Sequence, residues 1–231
     1  MFVRNMPRSL TNAVLTVSAA GFLSGCASLS SGEKAVRIGV GAGAAVGGAI
    51  GSKNGGTAQG AIIGAMVGGT IGSIIGVQMD KQAREIVQEV PGATVERVGE
   101  GIAVTFASGL LFDFDSDRVR PDAGDNLRSL AGSLKKYPNT EVLIVGHTDA
   151  RGEDSYNEDL SRRRAASAAS YLASQGIAAA RVRTAGRGES EPIADNDSEV
   201  GMQKNRRVEI AIFASEAYRN QLRSQQGAGG L

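Results

Sequence analysis

The spacing of hydrophobic and polar residues changes along the chain and separates three kinds of segment. Residues 10–23 form an uncharged, mostly apolar run. In residues 38–79, apolar side chains stand between regularly spaced glycines, and Lys53 is the only charged residue. From about residue 100 onward, runs typical of strands alternate with stripes typical of helices. Since each spacing suits a different structure, we expect a leader, a helical segment and a layered domain, in that order.

Residues 101–215 carry the pattern of a layered domain, which we assign to the α/β (α+β) class with the element order βαβαββ. Short runs rich in β-branched residues predict four strands, at 102–106, 141–145, 181–184 and 208–213. A stripe with helical spacing predicts the first helix, at Leu127, Leu130, Ala131 and Leu134. A second helix is predicted at about 156–175, after a Ser-Tyr-Asn-Glu sequence at 155–158 that fits a capping box. A shorter strand is expected at 94–98, just before the domain.

Residues 38–79 predict a helical hairpin whose glycines lie along one helix face. The glycines recur at a spacing of four in two series, at 39, 43, 47, 51 and 55 and at 56, 60, 64, 68, 72 and 76. This spacing places small residues on one face, where they let two helices approach closely. The sequence at 52–56 suits a turn, so we expect arms at about 38–51 and 57–79.

Two environments suit this hairpin. It either inserts in a membrane or self-associates, or it packs on itself or on the folded domain. We favour membrane association or oligomerisation, since so much glycine destabilises a helix in water. A charged connector at 80–100 follows, with a helical extension that Pro91 and Gly92 end.

The first residues have the features of a lipoprotein signal. Arg4 and Arg8 precede the apolar run, and a Leu-Ser-Gly-Cys sequence at 23–26 follows it. This sequence resembles the lipobox, the processing site of bacterial lipoproteins. The resemblance implies a signal peptide at 1–25, lipid on the thiol of Cys26 and a lipidated linker at 26–37. The residues after the cysteine include no aspartate, which favours the outer membrane.

Composition argues against several functions. The chain has one cysteine and one histidine, His147, which leaves no usual zinc site and no internal disulfide. With 25 basic and 24 acidic residues, it lacks the clustered positive charge that nucleic acids require. We therefore expect no metal, no cofactor and no nucleic-acid partner. Because any Ser/His or Cys/His pair would need His147, we also expect that the protein is not an enzyme.

The second helix and the strand before it hold residues suited to a zwitterion. Asp149 ends the segment that enters the helix. On a helical wheel Arg162 and Arg163 point away from the apolar stripe, whereas Arg164 lies at its edge beside Leu160. An aspartate and an arginine so placed can hold the ammonium and the carboxylate of one amino acid. The alternative is that Asp149 and Arg164 pair with each other.

Four segments resemble, in order, the OmpA-like C-terminal domain family. They are Leu111–Ser116, Gly146–Ala165, Gly186–Pro192 and Asn205–Ile210, and the resemblance covers about 105–213. The family binds peptidoglycan non-covalently through the diaminopimelate of the stem peptide. The resemblance implies that Asp149 and Arg164 hold this amino acid. It also implies surrounding pocket residues, at Thr148, Asn157, Leu160, Phe114, Asp115 and Arg206.

These features together predict an outer-membrane lipoprotein, with a layout that resembles the YiaD type, whose periplasmic domain binds the cell wall. The tail at 216–231 is expected to be flexible. One alternative is a membrane oligomer or pore-like protein formed by the glycine zipper, with wall binding secondary. Another is a wall-modifying enzyme that uses Asp113, Asp115 and Asp149. A motor-stator protein would need an inner-membrane helix in place of the lipobox.

Overall fold

A five-stranded mixed sheet lies at the centre of the computed structural model, which describes residues 56–228. Its strands are β1 (Ala93–Val98), β2 (Gly101–Ala107), β3 (Thr140–Gly146), β4 (Val182–Gly186) and β5 (Arg207–Ala214). Their spatial order is β1-β2-β5-β3-β4, and all neighbours are antiparallel except β3 and β4. The predicted signal peptide, the linker that begins at Cys26 and the predicted first arm of the hairpin lie outside the described residues.

Helices connect the strands and cover both faces of the sheet. In chain order they are α1 (Gly56–Ala65), α2 (Gly69–Glu89), α3 (Ser108–Leu111), α4 (Gly124–Lys136), α5 (Asp154–Ser174), α6 (Glu199–Asn205) and α7 (Glu216–Ala228). From β2 onward the main elements follow the predicted order βαβαββ. The α/β (α+β) fold is thereby confirmed, with β1 added at the sheet edge.

The two sheet faces have separate hydrophobic clusters, because successive side chains of a strand point to opposite faces. One face carries Val104, Ile144 and Ile210, all fully buried in the cluster that also includes side chains of α2, α4 and α5. The other face is covered by α1 alone among the described helices, and this cluster is smaller. Its members are Ala58, Ala61, Ile62, Ala65, Ala103, Val145, Ala211 and Phe213.

The predicted second arm, 57–79, is two helices rather than one. Helix α1 ends at Ala65 and α2 begins at Gly69, and both Gly68 and Gly69 have positive φ, 74° and 62°. The carboxylate of Glu100 accepts hydrogen bonds from the backbone N–H groups of Val67 and Gly68, at 2.8 and 2.7 Å. A distant carboxylate thus fixes the break, which the glycine spacing did not reveal.

Packing on the folded domain is the environment that this arm has in the structure. Helix α1 lies against β2, β3 and β5. Helix α2 contacts β1, β2 and α4 and continues without interruption into the charged extension that ends at Glu89. None of the helices in residues 56–228 has the length and apolar character needed to cross a membrane.

The expectation of a flexible tail is wrong for residues 216–228, which form α7. Leu222 is buried, and Tyr218 packs against the main hydrophobic cluster. The Arg219 guanidinium donates a hydrogen bond from Nη1 to the Ala65 carbonyl oxygen at 2.9 Å. The helix is ordered because it satisfies the carboxyl end of α1 while burying its own apolar residues.

Candidate ligand-binding site at the end of strand β3

The turn after β3 is held between two neighbouring segments. The backbone N–H of His147 donates to the Arg207 carbonyl at 2.9 Å, and that of Thr148 donates to the Gly188 carbonyl at 2.8 Å. Helix α5 packs so closely against Gly146 that a Cβ atom at this position would lie 2.1 Å from a backbone oxygen of the helix. The turn that carries Asp149 therefore has little freedom to move.

Asn157 fixes the same turn from the first part of α5. Its Nδ2 donates to the carbonyl oxygens of Asp149 and Arg151, at 3.3 and 3.1 Å, and to the Glu189 carboxylate at 2.6 Å. These bonds draw the chain into the helix, which begins at Asp154 without a side-chain cap. The predicted capping box at 155–158 is therefore wrong. Asn157 is buried, and its amide positions the turn rather than facing the cavity described below.

The Asp149 carboxylate accepts hydrogen bonds from two arginines. Arg151 donates from Nη2 and Nε to Oδ2 at 2.9 and 3.1 Å, and its backbone N–H donates to Oδ1 at 3.1 Å. Arg206 donates to Oδ2 from Nη1. Burial raises the pKa of Asp149, but the hydrogen bonds from Arg151 and Arg206 outweigh burial and hold that pKa below its ordinary value. Asp149 is therefore a carboxylate at neutral pH.

Arg164 lies beside Asp149's arginines but does not bind Asp149. Its Nε donates to the Ser116 carbonyl at 2.9 Å, and its guanidinium carbon lies 5.6 Å from the centre of the Phe112 ring. Burial lowers the pKa of Arg164 from its ordinary value, against the opposing charge of Asp115. An arginine remains protonated despite such a shift. Within residues 56–228 no ion pair joins Asp149 to Arg164, so the alternative of mutual pairing is wrong.

A cavity of about 360 Å³ opens in front of Arg164. Three of the predicted site residues line it, namely Arg164, Arg206 and Phe114, and the Phe114 side chain is 88% exposed. The other lining residues are Ser108, Gly109, Phe112, Asp113, Arg151 and Glu199. Asp149 adjoins the cavity through its bonds to Arg151 and Arg206. Three arginines and two carboxylates therefore line the cavity, and a guanidinium is a group that can hold a carboxylate.

The remaining predicted site residues lie outside the cavity lining. Thr148 and Leu160 are buried, and within the described residues the Thr148 hydroxyl has no hydrogen-bond partner. Asp115 lies in the 112–116 loop with a positive φ of 55° and accepts a hydrogen bond from the Tyr156 hydroxyl. These contacts give Asp115 the role of holding the loop against α5.

Sequence reasoning missed two charged residues of the cavity. Arg151 stands only two positions after Asp149, and that spacing was an available signal. Glu199 begins α6, and it accepts hydrogen bonds from Arg206 at 2.7 Å and from Arg151 at 3.4 Å. Nothing in the pattern around residue 199 indicates this role. It depends on how the 193–205 segment returns toward β3.

His147 lies behind the turn, away from the cavity. It is 1% exposed, and burial, then the charges of Arg207 and Arg187, hold its pKa well below the ordinary value. Its ring is therefore neutral. Within residues 56–228 no cluster of His, Cys, Asp or Glu side chains has the arrangement of a metal site.

Comparison with known proteins assigns the two main parts of the chain. Residues 111–206 match the OmpA family, and residues 6–80 match the YMGG-like Gly-zipper. The chain is 40% identical over 121 residues to the probable lipoprotein YiaD of Escherichia coli. The aligned region covers 52% of this chain and 55% of YiaD. The chain is also 36% identical over 117 residues to the peptidoglycan-associated lipoprotein of Brucella melitensis. This aligned region covers 51% of this chain and 70% of the relative.

A solved structure gives the same fold. The cell wall anchor of the type VI secretion system (T6SS) of Pseudomonas aeruginosa superposes with a TM-score of 0.53 at 32% identity, over 59% of this chain and 97% of that one. The chain spans 55% of YiaD and 32% of the outer membrane porin F of Pseudomonas fluorescens, less than two thirds of either. The sheet order, the 111–206 match and the long match to the Brucella lipoprotein agree, and the chain belongs to the OmpA family.

Proposed function

We propose that this protein is an outer-membrane lipoprotein that binds peptidoglycan non-covalently through the diaminopimelate of the stem peptide. It thereby tethers the outer membrane to the cell wall. The observation that carries the proposal is the cavity in which Arg164 faces solvent-accessible space beside the ionised Asp149. The names of the relatives support it, since they include a peptidoglycan-associated lipoprotein and a cell wall anchor.

The chemistry of Arg164 suits the carboxylate of the ligand. Within residues 56–228 its hydrogen bond uses Nε, which leaves both terminal nitrogens for a bidentate bond. Its guanidinium is largely buried against Phe112, where an ion pair is stronger than in water. The Ser116 carbonyl and the Phe112 ring fix its direction before the ligand arrives.

The chemistry of Asp149 suits the ammonium of the same ligand. In diaminopimelate the distal ammonium and carboxylate share one carbon, so the two binding groups must lie side by side. Arg206 contacts Asp149 and also lines the cavity with Arg164. Phe114, whose side chain is exposed, lines the same cavity and can cover the aliphatic part of the ligand.

The attachment at the other end is a lipid on Cys26. With the protein held in the outer membrane, the OmpA-like domain lies in the periplasm. Many tethered copies face a repetitive polymer, so weak individual sites give strong overall retention through their effective concentration.

The experiment is a sedimentation assay of the full chain in detergent with purified cell walls. Walls of the diaminopimelate type are compared with walls of the lysine type. Asp149→Ala and Arg164→Ala are compared with Arg162→Ala, which removes the same charge from the exposed side of α5. We expect selective retention of the wild type and of Arg162→Ala, and a loss of at least about tenfold in the two site variants.

Circular dichroism and thermal unfolding of each variant serve as the control for folding. Equal retention on both walls would contradict the proposal, because the lysine side chain lacks the distal carboxylate. Retention of folded Asp149→Ala or Arg164→Ala on the diaminopimelate-type wall would also overturn it.

A further inference from the structure

The carboxylate proposed to hold the ligand ammonium is occupied by a side chain of the protein itself. Arg151 donates to Oδ2 of Asp149 from two nitrogens, at 2.9 and 3.1 Å. Arg206 shares that oxygen, and the backbone N–H of Arg151 donates to Oδ1. A ligand ammonium that binds Asp149 therefore meets a carboxylate whose two oxygens already accept hydrogen bonds. The ligand ammonium and Arg151 compete for this one carboxylate.

Arg151 is placed to leave Asp149, whereas Arg206 is placed to stay. The Arg151 side chain is 51% exposed, against 24% for Arg206 and 8% for Asp149. Exposed ion pairs are weak, because water replaces the lost partner. Glu199, which is 64% exposed, already lies 3.4 Å from Nη1 of Arg151. By turning toward Glu199, Arg151 releases Asp149 without losing its charge partner.

From this geometry we infer that Arg151 is a displaceable internal cation that competes with the ligand ammonium for Asp149 and lowers the affinity of every ligand that binds there through an ammonium. The inference rests on the proposed function and concerns a residue of the same site. A lone ammonium that displaces Arg151 exchanges one ion pair for another and gains little. A ligand that also carries a carboxylate binds Arg164 in the same event, which offsets the displacement.

The two kinds of stem peptide differ in this respect. A lysine side chain offers an ammonium alone, whereas diaminopimelate offers both groups on one carbon. Displacement of Arg151 costs the same free energy for either ammonium, so Arg151 should weaken the binding of both peptides by the same factor. Removing Arg151 should strengthen the binding of both, while the preference for diaminopimelate, which depends on Arg164, stays.

The experiment is calorimetric titration of the full chain with two soluble stem peptides, one ending in diaminopimelate and one ending in lysine. For Arg151→Ala we expect both affinities to rise by about tenfold, the value of one hydrogen bond between charged groups, with their ratio unchanged. Arg151→Lys keeps a positive charge beside Asp149 and should give a smaller rise. Arg162→Ala, the matched surface control, should leave both affinities unchanged.

A second readout needs no ligand. The pKa of Asp149, followed by carbon-13 NMR, should rise in Arg151→Ala because a hydrogen-bond donor is lost. An unchanged pKa would show that Arg151 does not occupy Asp149 in solution and would overturn the inference. An unchanged or weaker diaminopimelate affinity in Arg151→Ala would also overturn it. Failure of the wild type to prefer diaminopimelate would instead contradict the proposed function, and the NMR titration would still decide whether Arg151 covers Asp149.

Discussion

Two clusters of arginines and carboxylates lie at the same end of the sheet and differ in their access to water. The open cluster consists of Asp149, Arg151, Glu199 and Arg206, and its outer members Arg151 and Glu199 are 51% and 64% exposed. The closed cluster consists of Thr57, Arg187, Glu191, Arg207 and Glu209, and Arg207 is 2% exposed. The same side-chain chemistry therefore occurs in two environments a few residues apart.

The difference decides which cluster can bind a ligand. In the open cluster a lost partner is replaced by water, so ion pairs exchange at little cost. In the closed cluster a lost partner leaves a charge buried and unpaired, which is strongly destabilising. Thr57 of α1 closes that cluster, with its backbone N–H on the Glu191 carboxylate at 2.9 Å and its hydroxyl accepting from Arg187 at 2.6 Å. The covering helix thus makes one cluster structural and leaves the other free for recognition.

The largest effect that we predict separates the two clusters directly. Glu191→Ala should lower the free energy of unfolding by about 3 kcal/mol, because Arg187 loses a mostly buried partner. Glu199→Ala, in the open cluster, should change it by less than about 1 kcal/mol. Urea unfolding followed by circular dichroism measures both. Equal losses in the two variants would mean that burial does not distinguish the clusters.

A somewhat smaller effect tests helix α1, which covers the closed cluster, rather than the charged residues of that cluster. Ile62→Ala should destabilise the protein by about 2 kcal/mol, since this side chain of α1 is 1% exposed and packs against the sheet. Its neighbour Ile63 is 55% exposed, so Ile63→Ala should stay within about 0.5 kcal/mol of the wild type. Hydrogen exchange should show faster opening of residues 187–191 in Ile62→Ala only. A loss of wall retention at a temperature where this variant is folded would contradict the independence of the open cluster.

The smallest effect is a difference in pH dependence. Burial raises the pKa of Glu209 despite the opposing charge of Arg207, whereas the pKa of Asp149 is lowered by its two arginines. A group with a raised folded-state pKa stabilises the protein below its unfolded pKa, about 4.3 for glutamate, and that stability is lost as the pH rises through the folded pKa. A group with a lowered folded-state pKa stabilises above its unfolded pKa, about 3.9 for aspartate, and that stability is lost as the pH falls through the folded pKa.

The two variants Glu209→Gln and Asp149→Asn should therefore depart from the wild type in different pH ranges. Melting temperatures measured against pH should change slope in Glu209→Gln above about pH 4, and in Asp149→Asn below about pH 4. If the melting temperatures of both variants departed from the wild type in the same pH range, the two carboxylates would share an environment.

The sequence predicts much of the fold because its strands and helices have clear periods. The strands predicted at 102–106, 141–145 and 208–213 lie within β2, β3 and β5. The helical wheel also placed Arg164 at the edge of the apolar stripe, and the structure finds it buried beside Phe112. Local spacing was sufficient for these features, because each depends on residues of one element.

Features that depend on distant contacts were not predictable in this way. Glycine spacing continues unchanged through 56–76, yet Glu100 divides the segment into α1 and α2 from 32 residues away. Arg206 and Arg207 are adjacent in the sequence. In the structure Arg206, which follows α6, belongs to the open cluster, whereas Arg207, which begins β5, belongs to the closed one. Glu199 was missed for the same reason, because α6 brings it to Arg151 and Arg206 only after the chain returns.

The bond between Thr57 and the 187–191 segment has a mechanical consequence. The backbone N–H of Arg187 donates to the Gly146 carbonyl, and Gly188 accepts from Thr148, the residue before Asp149. A tensile load applied between the amino-terminal end of α1 and a ligand held at Asp149 would pass along this short path. Strands β1 and β2 and helices α4 and α7 lie beside the path and would carry little of the strain. The domain would then yield first where α1 detaches in shear, with its sheet still intact.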